Sequence, residues 1–204
     1  SEIAPDRIGR QVRDNLCNMG VVWKVSKGVE SIEKDDRGLY VKCLDGLGVS
    51  CEIALAAIGL KSRVDLATKL GVEENRVVKA DRFAETSLKN IYAIGDCVSI
   101  EGLCLTYVAP IKRQVKALAL TISGKKTAVC YPAMPVVVKM PTCPLTLIPL
   151  RGAPIEGGWS TETDNNDSIV CVYRDLQSKV HAVALMGDGI KERNKWLSQI
   201  DPLL

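Results

Sequence analysis

Histidine is almost missing from this 204-residue sequence: His181 is the only one. The eight cysteines, at positions 17, 43, 51, 97, 104, 130, 143 and 171, include no C-x-x-C pair. A zinc site needs clustered Cys and His ligands, so no metal ligands are assigned. A disulfide framework suits small secreted chains with little core, which a chain of this length is not. The thiols therefore read as reduced and buried, and the protein as cytoplasmic. No apolar run reaches the roughly 18 residues of a membrane span. The polar start, SEIAPDRIGRQ, shows no signal peptide. It begins on Ser1 rather than methionine, which raises the expectation of a chain cut from something longer. Lysine and arginine never form a block of five, and the net charge is only +3, so nucleic acid is not an expected partner.

What is present is ordinary globular material, 47% apolar and 25% charged. Ile8, Val12, Leu16 and Met19 recur at helical spacing over 6–19, with Gly20 as the stop. Strand-like runs follow at 21–25, 29–33, 39–44 and 49–58, separated by the turn signals DDRG (35–38) and DGLG. The stretch CEIALAAIGL that carries the last run is nearly all apolar, which predicts a strand buried on both faces. A short helix is expected at 64–72 and a short strand at 76–81. A longer helix should begin near Ala109 and Pro110, with Ile111, Val115, Leu118 and Ile122 as its apolar stripe and Gly124 as its end. From about residue 129 the pattern changes to short, proline-punctuated strands, YPAMPVVVKMPTCPLTLIPLRGAP, which suit sheet edges. The runs 168–175 and 179–187 read as a hairpin across LQS. Asp188 can cap a last helix in which Ile190, Arg193, Leu197 and Ile200 share a face.

The chemistry-bearing stretch is NIYAIGDC (90–97). It reads as an apolar strand ending on Gly95 and Asp96. Gly95 permits close backbone approach by a ligand, and the Asp96 carboxylate offers acceptor oxygens suited to sugar or ribityl hydroxyls. The N-terminus of the following helix offers unpaired N–H groups and partial positive charge. The bland alternative is a turn- or helix-capping aspartate.

TSLKNIYAIGDC resembles the second FAD-binding motif of the flavoprotein disulfide reductases that carry two dinucleotide-binding domains. ALAAIGLKSRVDLATKLGV resembles their passage from the NAD domain back to the FAD domain. LTYVAPIKRQVKALALTISGKK and CYPAMPVVVKMPTCPL continue the likeness, the latter toward the NADH:rubredoxin and flavorubredoxin reductase branch. The resemblance implies an α/β fold holding halves of the NAD (1–60) and FAD (61–128) Rossmann-like domains, plus a small α+β domain (129–204). It implies FAD and NADH as cofactors and a rubredoxin-like electron acceptor. By resemblance, Gly95 and Asp96 meet the FAD ribityl chain, and the backbone at Val108 and Ala109 faces the flavin O2/N3 edge. Lys139 would stabilise negative charge on the reduced flavin, its alternative being a solvated strand lysine. Ile58 and Gly59 would lie beside the nicotinamide nucleotide, their alternative being the end of a buried strand. No catalytic side chain is assigned. His181, Trp159, Cys97 and Cys143 read as structural. The family carries two G-x-G-x-x-G loops and this sequence has neither, so a missing N-terminal segment of the same protein is an expected partner, and the chain alone an inactive fragment. A non-catalytic binding module of the same fold, or a flavorubredoxin or ferredoxin reductase, are the alternatives.

Overall fold

The computed structural model describes residues 4–36, 38–150, 155–165 and 167–204. Arg37 of the DDRG turn and residues 151–154 of the proline-punctuated segment lie outside the described residues. The chain divides into two compact units, residues 16–60 and residues 1–15 with 61–204.

The smaller unit is an antiparallel sheet of β1 (Val29–Asp35), β2 (Gly38–Cys43) and β3 (Gly48–Cys51). Residues 21–25 form no strand, and the expected strand over 49–58 stops at Cys51. Beyond it the backbone finds no ladder partner among the described residues. Ile53, Leu55, Ile58 and Leu60 are all exposed, Ile58 to 96%. An apolar run specifies burial only where neighbouring strands exist to bury it. This one is solvated on both faces.

In the larger unit, five antiparallel strands make the principal sheet. They are β7 (Val136–Val138), β8 (Leu145–Ile148), β9 (Gly157–Asp164), β10 (Ser168–Asp175) and β11 (Val180–Gly187), in the order β7-β8-β11-β10-β9. The expected hairpin is present as β10 and β11. Their near-continuous apolar sequence follows from burial on both faces. Side chains alternate across a strand, so Ile169, Cys171, Ala184 and Met186 join one cluster and Val170, Val172, Val183 and Leu185 the other. Ile8 of the first helix, α1 (Asp6–Asn18), packs into the former cluster at 1% exposure, and Arg7 grips Asp164 of β9 with two bonds of 2.7 Å. The latter cluster is covered by Trp196 and Leu197. They lie on a short helix, Arg193–Leu197, that follows a 3-10 turn at Asp188–Glu192 where one continuous helix was expected. At the hairpin's far end Gly187 has φ +61, and a Cβ there would meet the Asp167 carbonyl oxygen.

The rest of the larger unit is smaller in scale. A short sheet, β4 (Glu73–Glu74), β5 (Val77–Ala80) and β6 (Val98–Ile100), pairs antiparallel and then parallel. Two helices accompany it, α2 (Asp65–Leu70) and α3 (Val108–Ile122). Val98, Ile100, Ala117, Val129 and Tyr131 share its core. The apolar stripe of α3 is not its most buried face: Ile111 and Leu118 are half-buried, and Val115 and Ile122 are exposed. Pro110, Gln114 and Ala117 are the buried residues of α3, while Val108 and Ile122 are 66% and 68% exposed. Nor are the thiols generally buried: Cys43 and Cys171 are, but Cys17, Cys104 and Cys130 are exposed.

His181 pairs through Nε2 with Asp175 Oδ2 at 2.7 Å, and Trp159 stands edge-on to Tyr173, so both occupy structural contacts. The His181 ring, followed by the Lys179 backbone N–H, holds the Asp175 carboxyl below the ordinary aspartate range. A depressed carboxyl contributes stability that is complete above its unfolded value, about pH 4, and lost as pH falls through the folded value. The urea midpoint of the wild type is therefore expected to fall further between neutral and strongly acidic pH than that of Asp175→Asn. Equal losses would show that the pair carries no stability.

Candidate functional site

The local backbone around the Gly-Asp pair is fixed by side chains that turn back on it. Asp81 Oδ1 accepts from the Phe83 and Glu85 amides, and Glu85 carboxylate from the Asn90 amide. Thr86, nearly buried, accepts from the Leu88 amide. Residues 90–94, expected as a strand, make only a single bridge between Tyr92 and Glu85. Ala84 and Asn90, both at φ +64, break any longer ladder. The ladder strand is β6, which follows the Gly-Asp pair and runs parallel to β5. The pair thus sits at a turn entering a strand rather than leaving one.

Gly95 has φ +99, a conformation that favours glycine, and no atom lies within 4 Å of where a Cβ would be. The turn is open on that side. The Gly95 N–H donates to Gln114 Oε1 at 2.7 Å, and Gln114 is 1% exposed. Asp96 is exposed, and its carboxylate makes no hydrogen bond or ion pair among the described residues. Its backbone oxygen accepts from Ser62 Oγ at 3.4 Å and from Cys104 Sγ at 3.8 Å. Desolvation, then the charges of Asp96 and Cys97, push the Cys104 thiol up, so it stays protonated as a donor. Cys97 Sγ faces the Ile94 carbonyl at 3.7 Å.

α3 begins at Val108, a residue earlier than Ala109, without a side-chain cap. Pro110 is its third residue, still within the turn whose N–H groups lack helical partners. Ala109 packs on the same core as Val98 and Ile100. Gly95 is thus tied to α3 through Gln114 and Ala109 packs on the adjoining core, while Asp96 and Val108, the neighbours of these two in sequence, are exposed. Lys139 is carried by a different sheet, exposed just after β7, the edge strand of the five-stranded sheet. Ile58 and Gly59 belong to the smaller unit, Gly59 at φ +111. A groove of about 370 Å³ runs along the small sheet, lined by Leu66, Leu70, Val78, Ile91 and Ile94 among others.

Sequence reasoning missed Gln114, Tyr131 and Ser62. Gln114 did leave a signal: it lies four residues after Pro110 and three before Ala117, a polar residue on the face that turns out to be buried.

The model of the pyridine nucleotide-disulphide oxidoreductase family matches residues 2–117. The chain belongs to that family. A second model, the rubredoxin binding C-terminal domain, matches residues 128–200. The rubredoxin-NAD(+) reductase of Alcanivorax borkumensis is 31% identical over 203 residues, covering 99% of this chain and 53% of that protein. The rubredoxin-NAD(+) reductase of Acinetobacter baylyi is 35% identical over 202 residues, 98% of this chain and 51% of that protein. The chain thus spans about half the length of the curated relatives it matches. A ferredoxin reductase from Rhodopseudomonas palustris superposes with a TM-score of 0.84 at 16% identity, over 98% of this chain and 51% of that one. That likeness shows the fold: the expected α/β architecture of the two-dinucleotide-domain reductases, over about half its length.

Gly95→Ala in this family member is expected to cost about 1–2 kcal/mol, because an L-residue is forced into the left-handed region even where there is room for it. Urea unfolding followed by tryptophan fluorescence measures it. An unchanged midpoint would mean that the turn relaxes freely.

Proposed function

We propose that this chain is the C-terminal portion of an FAD-dependent oxidoreductase that passes electrons from NADH through FAD to a rubredoxin. The observation that carries the reading is the order of two family matches along one chain, a reductase over 2–117 and a rubredoxin-binding domain over 128–200. The open turn at Gly95 and Asp96 supports it.

The residues present fit a flavin. The space beside Gly95 is open, the Asp96 carboxylate is exposed without a protein partner among the described residues, and a 15-residue helix begins uncapped at Val108. Asp96 accepts from ribityl hydroxyls. The first N–H groups of α3, at Val108 and Ala109, donate to the carbonyl edge of the ring, where the helix dipole favours negative charge. Lys139 adds a positive charge near that edge, and Ile58 and Gly59 flank the nicotinamide nucleotide. Bound FAD supplies the chemistry these side chains lack, accepting a hydride and releasing single electrons.

The apolar surfaces support a further part of the protein as partner. In the smaller unit the run from Ile53 to Leu60 is solvated. In the larger, the outer face of α3 and the groove beside Leu66 and Leu70 are open. Exposed apolar runs of this kind suit cover by a partner, and an N-terminal segment of the same protein, bearing the glycine-rich loops, is the partner we assign. No described helix is long and apolar enough to cross a membrane, and all eight cysteines are unpaired, which suits the reducing cytoplasm.

The 204-residue chain purified alone is expected to carry no visible flavin absorbance and to show no NADH turnover. The longer protein should bind FAD and reduce rubredoxin faster than ferredoxin or flavorubredoxin. Flavin-bound, NADH-active chain would refute the fragment reading, and equal rates with all three acceptors would refute the rubredoxin assignment.

A further inference from the structure

Among the described residues, a buried polar chain runs from the Gly-Asp turn into the core. The Gly95 N–H donates to Gln114 Oε1 at 2.7 Å, and Gln114 Nε2 donates to Tyr131 Oη at 2.8 Å. Gln114 is 1% exposed and Tyr131 wholly buried. The carboxamide orientation is forced by its neighbours. A flipped amide would set two donors against each other at Gly95, because a backbone N–H can only donate. Tyr131 is itself anchored. Its N–H donates to the Leu204 carbonyl at 2.9 Å, its carbonyl accepts from the Leu203 N–H at 2.6 Å, and both leucines pack on the same core.

The exit of the turn is tied to β5, where the Val78 N–H donates to the Cys97 carbonyl at 2.8 Å, but the other restraints on Gly95 and Asp96 themselves are longer. The Val98 N–H reaches the Gly95 carbonyl at 3.2 Å, and the contacts to the Asp96 carbonyl are 3.4 Å from a serine hydroxyl and 3.8 Å from a thiol. Bonds at those lengths hold loosely. The shortest bond on the turn is thus the one from Gly95 to Gln114, made where water does not compete and backed by a fixed phenol.

We propose that Gln114 and Tyr131 are positioning residues for the flavin: the buried Gly95–Gln114–Tyr131 chain locks the turn that presents Asp96. The inference rests on the flavin reading of Asp96 given above. Neither side chain touches the ligand. Gln114 sets the direction of the Ile94–Gly95 peptide, one residue before Asp96, and Tyr131 keeps the Gln114 carboxamide from rotating.

The test is made in the longer, FAD-binding protein, by amide exchange and by quenching of flavin fluorescence on binding. Gln114→Met keeps the volume and removes both bonds. It is expected to speed exchange of the Gly95 amide at least about tenfold, leave the Val98 and Ala117 amides protected, and weaken FAD binding about tenfold. Gln114→Glu keeps an acceptor for Gly95 and should restore Gly95 protection and most of the affinity. Tyr131→Phe, which leaves the turn bond in place, should shift both readouts in the same direction by less, and serves if the Met variant does not fold. FAD affinity unchanged in Gln114→Met, or lost without any change at Gly95, would overturn the inference while leaving the flavin reading intact. A wild-type protein that binds no FAD would overturn that reading itself.

Discussion

The hydrogen bond from the Gly95 amide to the buried Gln114 carboxamide joins the two halves of the candidate site. A turn with φ +99 beside a carboxylate that has no partner among the described residues has little reason to hold one geometry by itself. Gln114 supplies that reason from inside α3, on the face shared with Pro110 and Ala117. The same helix begins at Val108, so the element that pins the turn also offers its N–H groups to a ligand. Tyr131 ties this arrangement to the segment entering the five-stranded sheet domain. The donor and acceptor groups of the site are therefore set by one helix and one buried polar chain.

Around that centre the larger unit is asymmetric. The five-stranded sheet is covered on both faces, by Ile8 and Val12 of α1 on one and by Trp196 and Leu197 on the other. It is a finished core. The short β4-β5-β6 sheet, by contrast, leaves a groove lined by leucine and isoleucine, and α3 turns Val108, Val115 and Ile122 outward. Apolar area costs free energy when left in water, roughly 25 cal/mol per Å². The chain spans about half of its relatives' length, and these are the surfaces that a further segment of the same protein would cover.

Much of this was legible in the sequence, and for physical reasons. The β10–β11 hairpin was readable because its partners are local and both its faces are buried by residues within the chain. At Gly95–Asp96 the residue types marked a place open to a ligand, but the pair, read as the end of a strand, is a turn that leads into one. Other readings failed, and the most instructive failed on tertiary context. CEIALAAIGL has the pattern of a buried strand, but among the described residues no neighbouring strand pairs with it beyond Cys51. The α3 stripe of Ile111, Val115, Leu118 and Ile122 is a true helical periodicity, yet two of its four residues are exposed and the buried polar Gln114 lies off it. NIYAI has strand composition, yet the loop set by Asp81, Glu85 and Thr86 holds it to a single bridge. Periodicity identifies an element, but it does not say what the element faces.

The central claim is that Asp96 is the acceptor for a flavin's polar chain, presented by the turn that Gln114 locks. It is tested most directly by calorimetric titration of FAD into the longer protein, comparing Asp96→Ala with Asp167→Ala, an exposed aspartate of the other sheet. The account predicts that Asp96→Ala weakens binding about tenfold or more, as expected for loss of charge-assisted hydrogen bonds, and that Asp167→Ala binds like the wild type. Equal FAD affinity in the wild type and Asp96→Ala would contradict it.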